Sequence, residues 1–331
     1  MKLLVTGGLG FIGSNFIRQT LSNRSNYDII NIDKIGIGAN PENLKDLENR
    51  EGYRFIKGDI SDIKVVYEPI MDVDAVINFA AETHVDRSIA DPNLFVQSNI
   101  IGTFNLLEAE KKLNRQIRHI QVSTDEVYGD IIKGSFKEED RLKPSNPYSA
   151  SKAAADMLCH AYQRTYGMDI IITRCTNNFG PYQFPEKLIP KTIIRAQRNL
   201  HIPIYGTGEN VRDWIYVLDH CSAIETVLEK GKAGEIYNVS SGNELQSIDI
   251  AHKILKILTK PDDLITHVDD RPGHDMRYSL NSNKLRAIGW APKYSFDEAL
   301  EQTVKWYLRN EWWWRPLATD KILDPTPWKS K

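Results

Sequence analysis

Residues 3–16 read LLVTGGLGFIGSNF, an apolar run that enters a cluster of glycines and leaves as a helix-like stretch. Gly7, Gly10 and Gly13 recur every third residue, and Gly8, Gly10 and Gly13 form a second register. Strand, glycine turn and helix in that order suit a dinucleotide. One glycine permits the tight turn, and another lets backbone N–H groups approach a pyrophosphate. The last lets the helix pack closely, with its positive end toward the phosphates. The pattern predicts a cradle made by Gly7, Gly10, Phe11, Ile12 and Gly13. Asp33 closes the next apolar run twenty residues after Gly13, where a carboxylate accepts from a ribose diol and repels a 2′-phosphate. NAD is therefore expected over NADP. Lys34 softens that expectation, because a cation there serves ribose or phosphate.

Working outward, KLLVTG, DIINID, YRFIKGD, DAVINFA, IRHIQVS and DIIITR read as strands, with amphipathic stretches between several of them. Such alternation implies right-handed crossovers and an α/β doubly wound parallel sheet, a Rossmann fold. This domain is expected over residues 1–175, with a return segment near 209–233. Residues 176–331 read as a smaller mixed α/β region, with a loop at NNFGPYQFPEKLIP, a helix-like run at KLIPKTIIRAQRNL, and helices at about 247–258 and 296–309. A further helix is expected around 92–113. Asp59 and Ile60 follow the third strand, where they would flank an adenine; a helix cap is an equal reading of Asp59. Phe79, Ala80 and Ala81 close the fourth strand, the alanines small enough for a cofactor to lie against the backbone.

The 331 residues carry 42 basic and 44 acidic side chains, so no bulk field favours nucleic acid or an anionic membrane. No apolar run is long enough to span a bilayer, and MKLLVTGG leaves no room for a signal peptide. Cys159, Cys175 and Cys221 are odd in number and read as buried free thiols, with no metal set. Together these point to the cytoplasm.

NPYSASKAAADML carries Tyr148 and Lys152 four residues apart, on one helical face. A free phenol titrates near pH ~10, and an ammonium one turn away plus an oxidised nicotinamide would favour the phenolate. STDEVYGD, residues 123–130, places Asp125 and Glu126 side by side at the end of a strand. Neighbouring carboxyls in a desolvated cleft resist double ionisation, which suits one acid and one base. A solvated strand end or a helix cap is the bland alternative.

The glycine turn, Thr124, Tyr148 and Lys152 resemble the extended short-chain dehydrogenase/reductase superfamily. FAAETHVDRSI, STDEVYGD, PYSASK, NNFGPYQFPEKLIP, GENVRDWIYVLDH and DRPGHDMRY then look like the dTDP-glucose 4,6-dehydratases in order and spacing, over nearly the whole chain. That resemblance implies a hydro-lyase with recycled, tightly bound NAD. Thr124, Tyr148 and Lys152 would serve the redox step, Glu126 would be the base at C5 and Asp125 the acid at the C6 oxygen. It adds Thr83, Ser98 and Asn178, with Tyr148 and Lys152, to the cofactor contacts. It places Thr83, Thr124, Asn177, Lys187, Leu188, Pro203, Ile204, Tyr205, Arg212, Asn238, Arg271 and His274 on a dTDP-glucose substrate, and implies a homodimer. His84 and Arg87 share a matching motif, with a structural role as an equal reading. One departure stands out: Ile35-Gly36-Ile37-Gly38 replaces the family's Leu-Thr-Tyr-Ala. A nucleotide-sugar 4-epimerase, a dehydratase for UDP-glucose, and a non-catalytic dinucleotide sensor are the rivals. The Trp312-Trp313-Trp314 run is expected to pack the last helix.

Overall fold

A computed structural model describes residues 1–331 apart from 114, 325, 327, 328, 330 and 331. Its core is a parallel sheet of seven strands. In chain order these are β1 (Lys2–Thr6), β2 (Asp28–Asp33), β3 (Tyr53–Lys57), β4 (Ala75–Asn78), β5 (Arg118–Thr124) and β6 (Ile170–Cys175), joined by a later strand from Ile236–Val239. Between them the chain adds β7 (Asn177–Phe179), β8 (Ile202–Tyr205) and β9 (Val211–Tyr216), which makes Ile236–Val239 β10; β11 (Glu244–Gln246) and β12 (Ile265–Val268) follow. The large sheet runs β10-β6-β5-β4-β1-β2-β3, so strand order reverses between β1 and β4. That reversal opens a crevice at the carboxyl ends of the strands. β1 and β6 are almost wholly buried because helices cover both faces.

The polar residues inside this sheet are bonded to one another. Thr6 Oγ1 donates to Asn78 Oδ1 (2.6 Å), and Asn78 Nδ2 donates to Gln121 Oε1 (2.8 Å). They tie β1, β4 and β5 together just below the crevice, so the strand ends bearing the site hold a common level.

Two helices deliver side chains to the crevice. Helix Pro147–Tyr166 begins at a capping box between Asn146 and Ser149, has proline in its first turn, and stops at Gly167 with φ 67°. Its start is therefore fixed, which fixes Tyr148. The expected helix at 92–113 is present but interrupted: wide, π-type turns span Val96–Ile101 before regular helix Gly102–Lys111. Such bulges recur at functional sites, and this one carries Ser98 into the crevice, with Asn99 buried behind it.

The remaining strands form a three-stranded sheet, β11-β9-β7, and a two-stranded one, β12-β8. Helices Ser247–Leu258 and Phe296–Arg309 match the expected ranges. Helix Val217–Lys230 and β10 pack on the large sheet, whereas β9 belongs to the small one. Trp313 and Trp314 are buried, as the packing reading requires, while Trp312 is exposed. Trp313 Nε1 donates to Asn43 Oδ1 (2.7 Å), so the tail clasps the first half of the chain.

Candidate active site

The crevice is a cleft that runs from the glycine turn to the end of β5. At the first end the glycines are required by space. A Cβ on Gly7 would lie 2.6 Å from Ala80 N, and one on Gly13 would lie 2.5 Å from Gly7 O. Gly7 also has φ 72°, in the left-handed region. β1 and β4 thus meet at backbone contact, and the helix beginning at Phe11 aims its N-terminus into the cleft. Gly7, Gly10, Phe11, Ile12, Gly13, Asp33, Lys34, Asp59, Ile60, Phe79, Ala80, Ala81, Thr83, Ser98, Tyr148, Lys152 and Asn178 all line it.

Asp33 accepts from the backbone N–H groups of Leu9 (3.0 Å) and Ile35 (2.8 Å). Burial nevertheless raises its pKa, with the backbone bonds opposing. Asn178 is held by its neighbours: His220 Nδ1 lies 2.9 Å from Asn178 Oδ1, and Asn178 Nδ2 donates to Thr176 O (3.0 Å). Burial pushes His220 down to about 3, so it stays neutral and acts as a fixed support.

At the other end β5 stops because Thr124 caps the short turn Asp125–Val127, accepting from the Glu126 N–H (3.3 Å) and donating to Asp125 Oδ1 (3.1 Å). The threonine is thus the cap, and the two carboxyls are left over. Asp125 Oδ2 and Glu126 Oε2 are buried without a partner, as is Asn177 Oδ1. Burial, then the neighbouring Glu126, raises the Asp125 pKa well above the ordinary carboxyl range. Burial also raises Glu126, but Arg271, Arg212 and Lys187 pull it back. The pair is therefore biased toward a protonated Asp125 beside a more acidic Glu126.

Tyr148 shares this pocket, 8% exposed and packed edge-on against Phe95. Burial and Glu126 hold its phenol well above the usual value. The expected phenolate calls on the Lys152 ammonium together with an oxidised nicotinamide, and the structure shows how that ammonium is held. Lys152 Nζ donates to Val122 O (2.6 Å), and burial lowers the lysine itself, so its charge is anchored to β5. Beneath lies the anchor for the whole segment: Arg174 Nη1 donates to Tyr128 OH (2.8 Å), Tyr128 donates to Asn238 Oδ1 (2.9 Å), and Arg174 Nε donates to Asp156 (2.9 Å).

The residues expected on the substrate divide three ways. Thr83, Thr124, Asn177 and Lys187 line the cleft. Arg212, Tyr205, Arg271 and His274 lie outside that lining and are held by protein partners. Arg271 Nη1 meets Asp86 Oδ1 (3.0 Å), Tyr205 OH donates to Asp86 Oδ2 (3.3 Å), and Arg212 lies 4.3 Å over the Tyr278 ring. His274 is held by Asp270 at 2.6 Å and, by burial, pushed down to about 4. Asn238 and Ile204 lie deeper, with protein partners around their side chains. Asn238 is fully buried and spends both side-chain atoms on Tyr128 and Phe136. The Ile204 side chain packs in a hydrophobic cluster with Ala196 and Leu255. Pro203 is buried beside it, and Leu188 is partly buried against the same cluster. Sequence reading also missed Glu82, Asp86, Glu186 and His220. The acids stand inside motifs already singled out, but nothing in their spacing distinguishes a buried counter-ion from a surface charge.

A doubly wound sheet, a glycine cradle at its switch point and a tyrosine–lysine pair at the end of β5 define a dinucleotide-dependent enzyme of the short-chain dehydrogenase/reductase class. The family model described as GDP-mannose 4,6 dehydratase matches residues 4–303, and the chain belongs to that family. It is 46% identical to a dTDP-glucose 4,6-dehydratase of Streptomyces niveus, over 99% of this chain and 98% of the relative. The solved dTDP-glucose 4,6-dehydratase of Streptomyces venezuelae, with NAD bound, superposes with a TM-score of 0.93 at 44% identity, covering 96% of this chain and 100% of the other. The UDP-glucose 4-epimerase of Thermus thermophilus in complex with NAD has a TM-score of 0.85 but 29% identity, covering 93% of this chain and 99% of that one.

Proposed function

We propose that the protein is an NAD-dependent hydro-lyase, a dTDP-glucose 4,6-dehydratase, which forms dTDP-4-keto-6-deoxyglucose with no net oxidation. The observation that carries the assignment is the Asp125–Glu126 pair, each with a buried oxygen left without a protein partner. An epimerase needs a base at the 4-hydroxyl but neither an elimination acid nor a base at C5. The high identity to dehydratases, against 29% to the epimerase, supports the same choice.

NAD fits the first end of the cleft, where Gly7 and Gly13 have no room for a side chain and a glycine turn at a helix N-terminus suits a pyrophosphate. When bound, it supplies the hydride acceptor at C4, a positive ring that lowers the Tyr148 phenol, and the hydride returned to C6. Tyr148 takes the 4-hydroxyl proton, with Thr124 beside it and Lys152 anchoring the ribose. The resulting C4 ketone makes the C5 hydrogen acidic. Glu126 removes that proton while Asp125 donates its own to the C6 hydroxyl, which departs as water. General acid and base catalysis each contribute about 10²–10⁴-fold. Lys187, Arg212 and Arg271 face the diphosphate, where guanidinium forks match phosphate oxygens.

Residues 1–175, with the return segment near 209–233, serve the cofactor, and 176–331 mainly the nucleotide sugar. The working unit is a homodimer, which is supported by Leu94, Val96, Phe104 and Met157, apolar side chains exposed along the two helical segments that flank the site. Three buried free thiols support a reducing compartment, the cytoplasm. The test is incubation with dTDP-glucose. A 4-keto sugar absorbing in alkali, without accumulating NADH, is expected. A galactose epimer, or stoichiometric NADH, would overturn the assignment, and faster turnover of UDP-glucose would replace the nucleotide.

A further inference from the structure

The sequence left the role of Lys34 open, because a cation beside Asp33 serves a ribose hydroxyl or a 2′-phosphate. The structure shows where that cation goes. Lys34 Nζ lies 2.9 Å from Glu82 Oε1, donates to Ser98 Oγ (2.7 Å), and sits 3.7 Å from Asp59 Oδ2. Its charge also acts on the Asp33 carboxyl, favouring the ionised form.

Each partner is itself held. Glu82 is 8% exposed, and its backbone is clamped by the Asn99 amide, which accepts from the Glu82 N–H (2.8 Å) and donates to its carbonyl (3.1 Å). Asn99 and Ser98 sit on the π-type turns, so the bulge supplies one partner and fixes the other. Room for the lysine comes from the loop that departs from the resembling family. A Cβ at Gly36 would lie 3.1 Å from Lys34 Cε and 3.7 Å from Glu82 Oε1, so a larger residue there would crowd the lysine stem.

We propose that Glu82 is a specificity-determining residue: with Ser98 it holds Lys34 away from the ribose 2′-position, so that Asp33 alone faces it and NADP is rejected. Asp59 and Glu82 then pair with one ammonium while Asp33 stays outside the pair, which leaves net negative charge where a 2′-phosphate would bring more. Glu82 acts through Lys34 and touches no reacting atom. The inference rests on reading the cleft as an NAD site.

The test is direct binding of NAD and NADP to protein stripped of dinucleotide, read by calorimetry. Wild type, Glu82→Gln, Lys34→Ala and the double variant are compared. In Glu82→Gln the preference for NAD over NADP should narrow about tenfold, roughly the worth of one charge-assisted hydrogen bond to the freed ammonium. Adding Lys34→Ala should restore the wild-type ratio, which a general loosening of the site would not do. An unchanged ratio in Glu82→Gln, or a double variant as permissive as the single one, overturns the clamp. Should Glu82→Gln fail to fold, Ser98→Ala removes the second partner and should move the ratio the same way by less; no movement there counts equally against it. If stripped wild-type protein binds neither dinucleotide, the site reading itself falls, and the clamp with it.

Discussion

Around Asp33 every carboxylate that matters is engaged: Asp33 accepts two backbone N–H groups, and Glu82 is paired with Lys34. At the end of β5 the outer oxygens of Asp125 and Glu126 have no partner at all. The same residue types therefore do two different jobs in one cleft. A carboxylate held by fixed donors presents a constant charge, which selects among ligands. One left unpaired and desolvated has a displaced pKa and can exchange a proton. Burial is common to both ends; the partners differ.

The largest test of that contrast is Glu126→Gln. It keeps the shape and removes the base, so turnover should fall by about 10²–10⁴-fold. In deuterium oxide, label should stop entering C5 while C4 oxidation still occurs. Label entering at the wild-type rate would show that the unpaired oxygen is not the base.

Asp125→Asn should cost less, about 10²-fold, with oxidation intact and elimination slowed. It also carries an opposite signature in stability. A raised folded pKa means that the folded protein holds this proton more tightly than the unfolded chain does. The stabilisation is full below the ordinary carboxyl pKa of about 3.9 and is lost as pH rises through the raised value. The asparagine variant has no such proton to lose. Its melting temperature should therefore hold better than wild type as pH rises from mildly acid to alkaline, and a parallel decline would remove the displaced carboxyl from the account.

Asp33→Asn is the smallest perturbation and sharpens the other side. NAD affinity should drop by about tenfold, the scale of one hydrogen bond to a charged group. The partition between oxidation and elimination, measured at saturating cofactor, should not move. A shift in that partition would mean that the two ends are not separable.

Much of this is legible in the sequence. The glycine spacing and the acid after β2 announce the cofactor end, because a tight turn and close backbone approach tolerate no side chain. Tyr148 and Lys152 are readable because the helical period places them on one face. What the sequence left unread has a common cause. Asn238 and Ile204 sit in segments that belong to the site, but a sequence does not say which way a strand residue faces across a sheet assembled from distant strands. Likewise the helical period puts the Lys152 ammonium one turn from Tyr148, and only packing puts it against Val122 O.

The sequence by itself determined the strand–helix alternation, the glycine cradle and the chemical identity of the catalytic groups, since each follows from local spacing and side-chain type. Tertiary structure alone decided which charges are paired. Glu82 reaches Lys34 across 48 residues of sequence, and Arg271 reaches Asp86 across 185. Pairing depends on distance in space and on how much water is excluded, and neither quantity is written in the order of residues.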